Sequence, residues 1–144
     1  MKSKKILSVL LAIIILAGTS VSALAAVPTD NTVSPRYIQT QECDAFIQYS
    51  GNNATAGAAV TTRDKCTVKV TITIQNYTSA GWTDYTRFHT QTVVTTAGVE
   101  KSVSNTAYNI PDGYYKTSAY IEIYKNGVFV ESDTVTSAIK YKGI

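Results

Sequence analysis

Residues that could form a catalytic centre are few in this sequence and lie far apart along it. His89 is the only histidine among 144 residues, so any Ser-His-Asp machinery would have to include it. A small hydrolase would need His89 and acids such as Asp84 or Asp112 to meet in one pocket. The sequence has no Gly-x-Ser-x-Gly nucleophile elbow and no calcium-loop pattern. We therefore expect no catalytic residue, no cofactor and no metal site, and we expect His89 to be an exposed strand residue.

One pair of carboxylates flanks a predicted hairpin turn. Glu122 and Glu131 lie on either side of Asn126-Gly127 and could face each other across the hairpin. Two converging carboxylates are what glycoside hydrolysis requires. Charged residues on a solvated sheet edge explain the pair equally well. The pair therefore does not by itself indicate an enzyme.

Tyrosine is unusually frequent, with ten tyrosines beside three phenylalanines and one tryptophan. Tyr114, Tyr120 and Tyr124 share one face of a predicted strand with a lysine and a glutamate, which indicates that this face is partly solvated. A tyrosine ring suits stacking on sugars or burial at a protein interface. With Trp82, these residues form the predicted binding face. The alternative is that the tyrosines only make cross-strand pairs, as they do in many sheets.

The two cysteines, Cys43 and Cys66, predict a disulfide bond. An even, minimal pair in an exported chain is typical of one structural bridge, because no glutathione pool keeps thiols reduced outside the cytosol. A metal-binding or reactive thiol pair is the weaker alternative, since the chain has no Cys-x-x-Cys spacing and no cluster of further ligands.

The beginning of the sequence has the order of a secretory signal peptide. A basic start is followed by an apolar run over 6–17 and by the small tripeptide Ala23-Leu24-Ala25. We predict a signal peptide over 1–25, cleaved near Ala25, a flexible leader over 26–37, and one domain over 38–144. The protein is then expected to be secreted. We see no lipid-bearing cysteine, sorting motif or apolar tail, and so expect no stable membrane anchor.

The charge balance of the mature chain excludes one class of partner. The whole sequence has 13 basic and 10 acidic residues. Cleavage would remove Lys2, Lys4 and Lys5 and leave the mature chain close to neutral. A protein that binds nucleic acid needs a basic stripe, so we expect no nucleic-acid partner.

Period-2 alternation of β-branched residues predicts strands along the rest of the chain. The firmest strand is Cys66–Gln75, with Val68, Val70, Ile72 and Ile74 on one face. The Asn126-Gly127 dipeptide predicts a tight hairpin. The other predicted strands are Glu42–Tyr49, Ala56–Thr62, Trp82–Val94, Val99–Tyr108, Tyr114–Tyr124, Val128–Val135 and a final edge strand at Ala138–Tyr141.

About seven short strands and no amphipathic helix predict an all-β fold. We expect an antiparallel β-sandwich of immunoglobulin-like type, with a small β-barrel as the alternative.

The overall pattern resembles small exported β-proteins of Gram-positive bacteria that have no assigned activity. The resemblance is carried by Ser34-Pro35-Arg36-Tyr37-Ile38, by the cysteine pair, by the strand ending at Ile74-Gln75 with Trp82 after it, and by Gly113-Tyr114-Tyr115-Lys116. The last hairpin is also similar to the closing strands of immunoglobulin-like and fibronectin type III domains. There, Tyr114 or Tyr115 would stand at a tyrosine corner. The resemblance implies a fold and an export route, and no activity.

These observations favour a secreted, non-catalytic binding or interaction module at or near the bacterial cell surface. A glycan, the cell wall or a protein is the expected partner. A secreted toxin or bacteriocin-like effector is the second hypothesis, and a small hydrolase is the third.

Overall fold

The computed structural model of the protein describes residues 38–143. The predicted signal peptide and leader lie outside the described residues. Within 38–143 the chain forms nine strands and no helix. The strands are β1 (Thr40–Ser50), β2 (Asn53–Thr62), β3 (Thr67–Thr78), β4 (Gly81–Arg87), β5 (Gln91–Val94), β6 (Lys101–Ala107), β7 (Gly113–Lys125), β8 (Val128–Thr136) and β9 (Lys140–Lys142).

The strands form two antiparallel sheets that pack against each other. One is a three-stranded sheet in the order β1-β2-β6, and the other is a six-stranded sheet in the order β4-β3-β7-β8, with β5 also paired to β3 and β9 to β7. One core cluster contains residues of both sheets. The predicted all-β antiparallel sandwich is therefore confirmed, and the described sheets do not close into the barrel that was the alternative. The architecture is compatible with an immunoglobulin-like sandwich.

The centre of the six-stranded sheet follows the predicted alternation. Val68, Val70, Ile72 and Ile74 of β3 are buried. The next strand, β7, buries every second residue from Tyr115 to Ile123 in the same way. Ten residue pairs join β3 to β7. Because both strands bury one face against the three-stranded sheet, their other face is left on the outside of the molecule.

The Asn126-Gly127 turn forms as predicted between β7 and β8. Both residues have positive φ, 52° for Asn126 and 78° for Gly127. These angles match the tight hairpin turn that Asn-Gly favours.

One predicted strand is wrong in its extent. The segment Trp82–Val94 is divided into β4 and β5, which pair with different parts of β3. Between them Phe88 packs against the core, and its N–H donates to the carbonyl of Ile72 at 2.9 Å. A bulge in the β3–β4 ladder at Ile74/Gln75 shifts the register there. Such an irregularity bends the strand away from its course.

Tyr115 occupies the position expected for a tyrosine corner. Its ring is 1% exposed, and its hydroxyl donates to the carbonyl of Pro111, four residues upstream, at 2.9 Å. Burial raises the pKa of the Tyr115 hydroxyl, with further contributions from Tyr85 and Asp112. This side chain therefore fixes the loop before β7 to the core.

Candidate binding face

The four residues of the predicted binding face all belong to the outer face of the six-stranded sheet. Tyr114, Tyr120 and Tyr124 alternate along β7 with the residues that enter the core. Trp82 of β4 lies directly opposite Tyr77 of β3, on the same side of the sheet. The three-stranded sheet packs on the other side, so it does not cover these rings.

One end of the outer face carries an aromatic row that runs across four strands. Trp82 and Tyr77 meet edge to face with ring centroids 5.3 Å apart, and Tyr114 and Tyr141 meet at 5.0 Å. Asn76 pairs with Tyr115, so one further step of the same register places Tyr77 beside Tyr114. The Trp82 row, as we call these four rings, covers three strand spacings, about 14 Å.

The other end of the outer face carries a second aromatic contact. Tyr124 of β7 and Phe129 of β8 are directly opposite, with ring centroids 5.7 Å apart. The ammonium of Lys69 lies 4.7 Å from the centre of the Tyr124 ring. The Tyr124 hydroxyl donates to Glu122 at 3.2 Å. Tyr114 and Tyr124 are ten residues apart on one strand, so the two ends are separated by about 34 Å.

Hydroxyl side chains fill the space between the two ends. Tyr120 is 39% exposed and pairs with Thr71 on one side and Thr134 on the other. Ser118 pairs with Thr73 and Thr136 in the same way. Among the described aromatic contacts none involves the Tyr120 ring. Tyr120 is therefore a ring of this face that is partly exposed and is not stacked against another described ring.

Two further charged side chains on the outer face, those of Lys116 and Asp84, have described partners. The ammonium of Lys116 lies 4.6 Å from the centre of the Trp82 ring. Asp84 accepts a hydrogen bond from Gln75 at 2.9 Å. A cation over a ring face is attracted by the ring quadrupole. Lys116 can thus hold the orientation of Trp82 and remain able to meet a ligand at the same place.

Three rings of this face were not singled out from the sequence. Tyr77, Phe129 and Tyr141 join it through cross-strand pairing. For Phe129 the signal was present, because the tight Asn126-Gly127 turn brings it next to Tyr124. Tyr77 and Tyr141 depend on which strands become neighbours, and alternation within one strand does not specify that.

The residues considered for a hydrolase have separate surroundings in the described part of the chain. His89 is exposed, as predicted, but it lies between β4 and β5 and is not part of a strand. Asp84 is hydrogen bonded to Gln75, and Asp112 forms an ion pair with Lys142. No hydrogen bond between His89 and either acid occurs within 38–143. In the same range no group of three or more His, Cys, Asp or Glu residues comes together as a metal site.

The two glutamates that flank the hairpin do not face each other. Glu122 pairs with Ser132 on the outer face, whereas Glu131 pairs with Ile123, a core residue. The Glu131 carboxylate instead accepts backbone N–H bonds from Ile38, Gln39 and Thr40, at 2.7 to 3.0 Å. A bulge at Ile123/Tyr124 shifts the pairing by one residue. One residue of shift places a side chain on the opposite face of a sheet.

The predicted disulfide bond between Cys43 and Cys66 is not present in the structure. Cys66 is 2% exposed within the core, and Cys43 of β1 packs against that core. Burial raises the pKa of the Cys66 thiol. Cysteine count does not specify the sulfur geometry that a bond demands, and in the core Cys66 packs as a small apolar side chain.

Within the described residues there is no helix long and apolar enough to cross a bilayer. No family model and no curated protein matches the chain. Among solved structures, the solution structure of R. palustris CsgH is similar to it, with 11% identical residues and a TM-score of 0.43. The similarity covers 67% of this chain and 89% of that chain. These comparisons do not indicate what the protein binds.

Proposed function

We propose that this protein is a secreted, non-catalytic binding module that binds a glycan chain on the outer face of its six-stranded sheet. The observation that supports this is a sheet face left uncovered, with aromatic rings at both ends and hydroxyl groups between them. Tyrosine rings present apolar surface to the C–H groups of a sugar, and hydroxyl side chains exchange hydrogen bonds with sugar hydroxyls. The elongated shape of the face fits a linear chain.

The rigid sheet favours binding for a second reason. The rings are on strands, and those at the two ends of the face pack in pairs, so little side-chain entropy is lost there when a ligand arrives. Polysaccharides of the bacterial cell wall are the glycans that an exported bacterial protein meets first. We therefore take cell-wall glycan as the ligand class to test before others.

The fluorescence of Trp82 can be used to measure glycan binding. Trp82 is the only tryptophan in the chain and belongs to the face, so its fluorescence should change as a soluble cell-wall glycan fragment is added. We expect Tyr120→Ala to weaken binding about fivefold to tenfold, because one stacking contact is lost. The Tyr120 ring makes none of the described ring contacts, so the fold should remain intact.

Tyr108→Ala is the matched control. Tyr108 is 72% exposed but belongs to the loop after β6, a strand of the three-stranded sheet. Equal affinities of the two variants, or no binding of any cell-wall glycan, would contradict the proposal. Saturable binding of a protein that Tyr120→Ala abolishes would assign the face to a protein partner. Dye leakage from lipid vesicles would favour the toxin alternative.

A further inference from the structure

Lys142 is a buried amine at the end of the sheet that carries the Trp82 row. It belongs to β9, and its side chain is 6% exposed. Its Nζ lies 2.6 Å from Oδ1 of Asp112 and 3.3 Å from Oδ1 of Asn52. An amine, a carboxylate and a carboxamide from three separate segments therefore meet at one point. The proposed glycan binding uses none of the three groups.

The three segments are held in place by their backbones. The N–H of Ile110 donates to the carbonyl of Asn52 at 2.9 Å and so ties the β1–β2 turn to the loop before β7. Lys142 pairs with Gly113, the residue after Asp112. Groups held together in this way react as if at very high local concentration.

We propose that Lys142 and Asn52 form an intramolecular amide bond between their side chains, with Asp112 carrying the proton. A carboxylate in contact with an amine can serve as its general base. The site thus has a nucleophile, a base and an electrophilic carbonyl carbon within one cluster. The bond would join the β1–β2 turn to the last strand of the protein.

The reaction needs no reagent beyond these three side chains. Asp112 takes a proton from the Lys142 ammonium, and the neutral amine attacks Cγ of Asn52. Asp112 returns this proton to the amide nitrogen of Asn52. As the C–N bond to that nitrogen breaks, Asp112 takes a second proton from the attacking nitrogen and passes it to the departing ammonia. One ammonium ion leaves for each amide formed, so atoms and charge balance. Nothing is oxidised or reduced.

The consequence of the bond is a fixed end of the sheet. β9 has three residues, and among the described strands its partner is the beginning of β7. So short a strand frays readily on its own. Tyr141, a ring of the Trp82 row, is next to Lys142 in β9. A covalent link at Lys142 would hold that ring in the row.

Peptide mapping of the purified protein tests the bond directly. Cleavage after Arg and Lys, following reduction and alkylation, should give a branched product of residues 37–63 and 141–144. Its mass should equal that of the two peptides less one ammonia, and fragmentation should place the link at Asn52 and Lys142. Recovery of residues 37–63 as a linear peptide, with cleavage after Lys142, would overturn the proposal.

Variants separate the bond from a simple ion pair. Lys142→Arg keeps the positive charge beside Asp112 but cannot form the amide, so the branched peptide should disappear. Asp112→Asn should slow its formation about a hundredfold or more, because the general base is lost. Asn53→Ala, which changes the neighbouring asparagine in the same peptide, should leave the link in place. A branched product joining 141–144 to the peptide 102–116, less one water, would assign the bond to Asp112 and contradict our assignment.

Discussion

Glu131 shows how the position of one carboxylate decides between a chemical and a structural role. From the sequence it was one member of a possible acid pair at a hairpin. In the fold it accepts three backbone N–H groups and the Thr40 hydroxyl, from the first residue of β1 and the two residues before it. Burial alone would raise the pKa of Glu131, but these hydrogen bonds outweigh it, and the net shift is downward. The anion is thus the form that fastens β1 to β8.

A lowered pKa makes this contribution to stability depend on pH. Because the folded state favours the anion, the contribution is complete above the unfolded pKa of about 4.3 and is lost as pH falls through the lower folded value. Glu131→Gln should therefore reduce the free energy of unfolding by about 1–3 kcal/mol at pH 7 and by much less at pH 3. Urea denaturation at a series of pH values measures the difference.

Glu42→Gln is the control for this experiment. Glu42 is an exposed residue of β1, and its substitution should leave the unfolding free energy nearly unchanged at both pH values. A gap between wild type and Glu131→Gln that is the same at pH 3 and pH 7 would show that the carboxylate charge has no such role.

At the scale of elements, the sequence predicted the strands well where alternation is uninterrupted. β3, β7 and the Asn126-Gly127 turn agree with the predicted alternation and turn chemistry. The predicted extent of Trp82–Val94 is wrong, and Glu131 lies on the opposite face of the sheet from Glu122. Both differences from simple alternation occur beside β-bulges. A bulge adds one residue to one strand only, and period-2 reasoning within that strand does not reveal it.

At Gly57 of β2 the packing of neighbouring strands leaves no room for a side chain. The alternation of residues along β2 does not reveal this requirement. Gly57 pairs directly with Phe46 of β1. An added Cβ would lie 2.3 Å from Cζ of Phe46 and 2.5 Å from the backbone oxygen of Val103. Gly57 thus lets the Phe46 ring lie across β2, an arrangement that compensates for the missing side chain within the strand.

Gly57→Ala should accordingly destabilise the protein by about 1–3 kcal/mol, the usual cost of forcing extra atoms into a packed site. The double variant Phe46→Ala/Gly57→Ala separates the two clashes, since it removes the ring but keeps the conflict with Val103. We expect Gly57→Ala to cost less unfolding free energy in the Phe46→Ala background than in the wild type. Some cost should remain, because the conflict with Val103 is still present. Equal unfolding free energies for Gly57→Ala and the wild type would refute the close packing of β1 on β2.

At the scale of the whole molecule, the way the two sheets pack decides which sheet face is covered. The three-stranded sheet covers one side of the six-stranded sheet and leaves the other side uncovered, which is the face that we propose binds a glycan. The sequence indicated both halves of this arrangement, because the tyrosines of β7 alternate with its core residues. It did not indicate which strands would be neighbours across the sheet, and that order is what aligns the Trp82 row.

The closeness of the two sheets depends on small side chains from β2. Ala54, Ala56 and Ala58 are all buried in the core between the sheets. Ala56→Leu should force the sheets apart and reduce the free energy of unfolding by about 1–3 kcal/mol. Ala59→Leu is its matched control, because Ala59 belongs to the same strand but alternates to the outer side, where a substitution should change stability by no more than about 0.5 kcal/mol. Denaturation curves that lose equal stability for both variants would contradict the two-layer packing on which the free outer face depends.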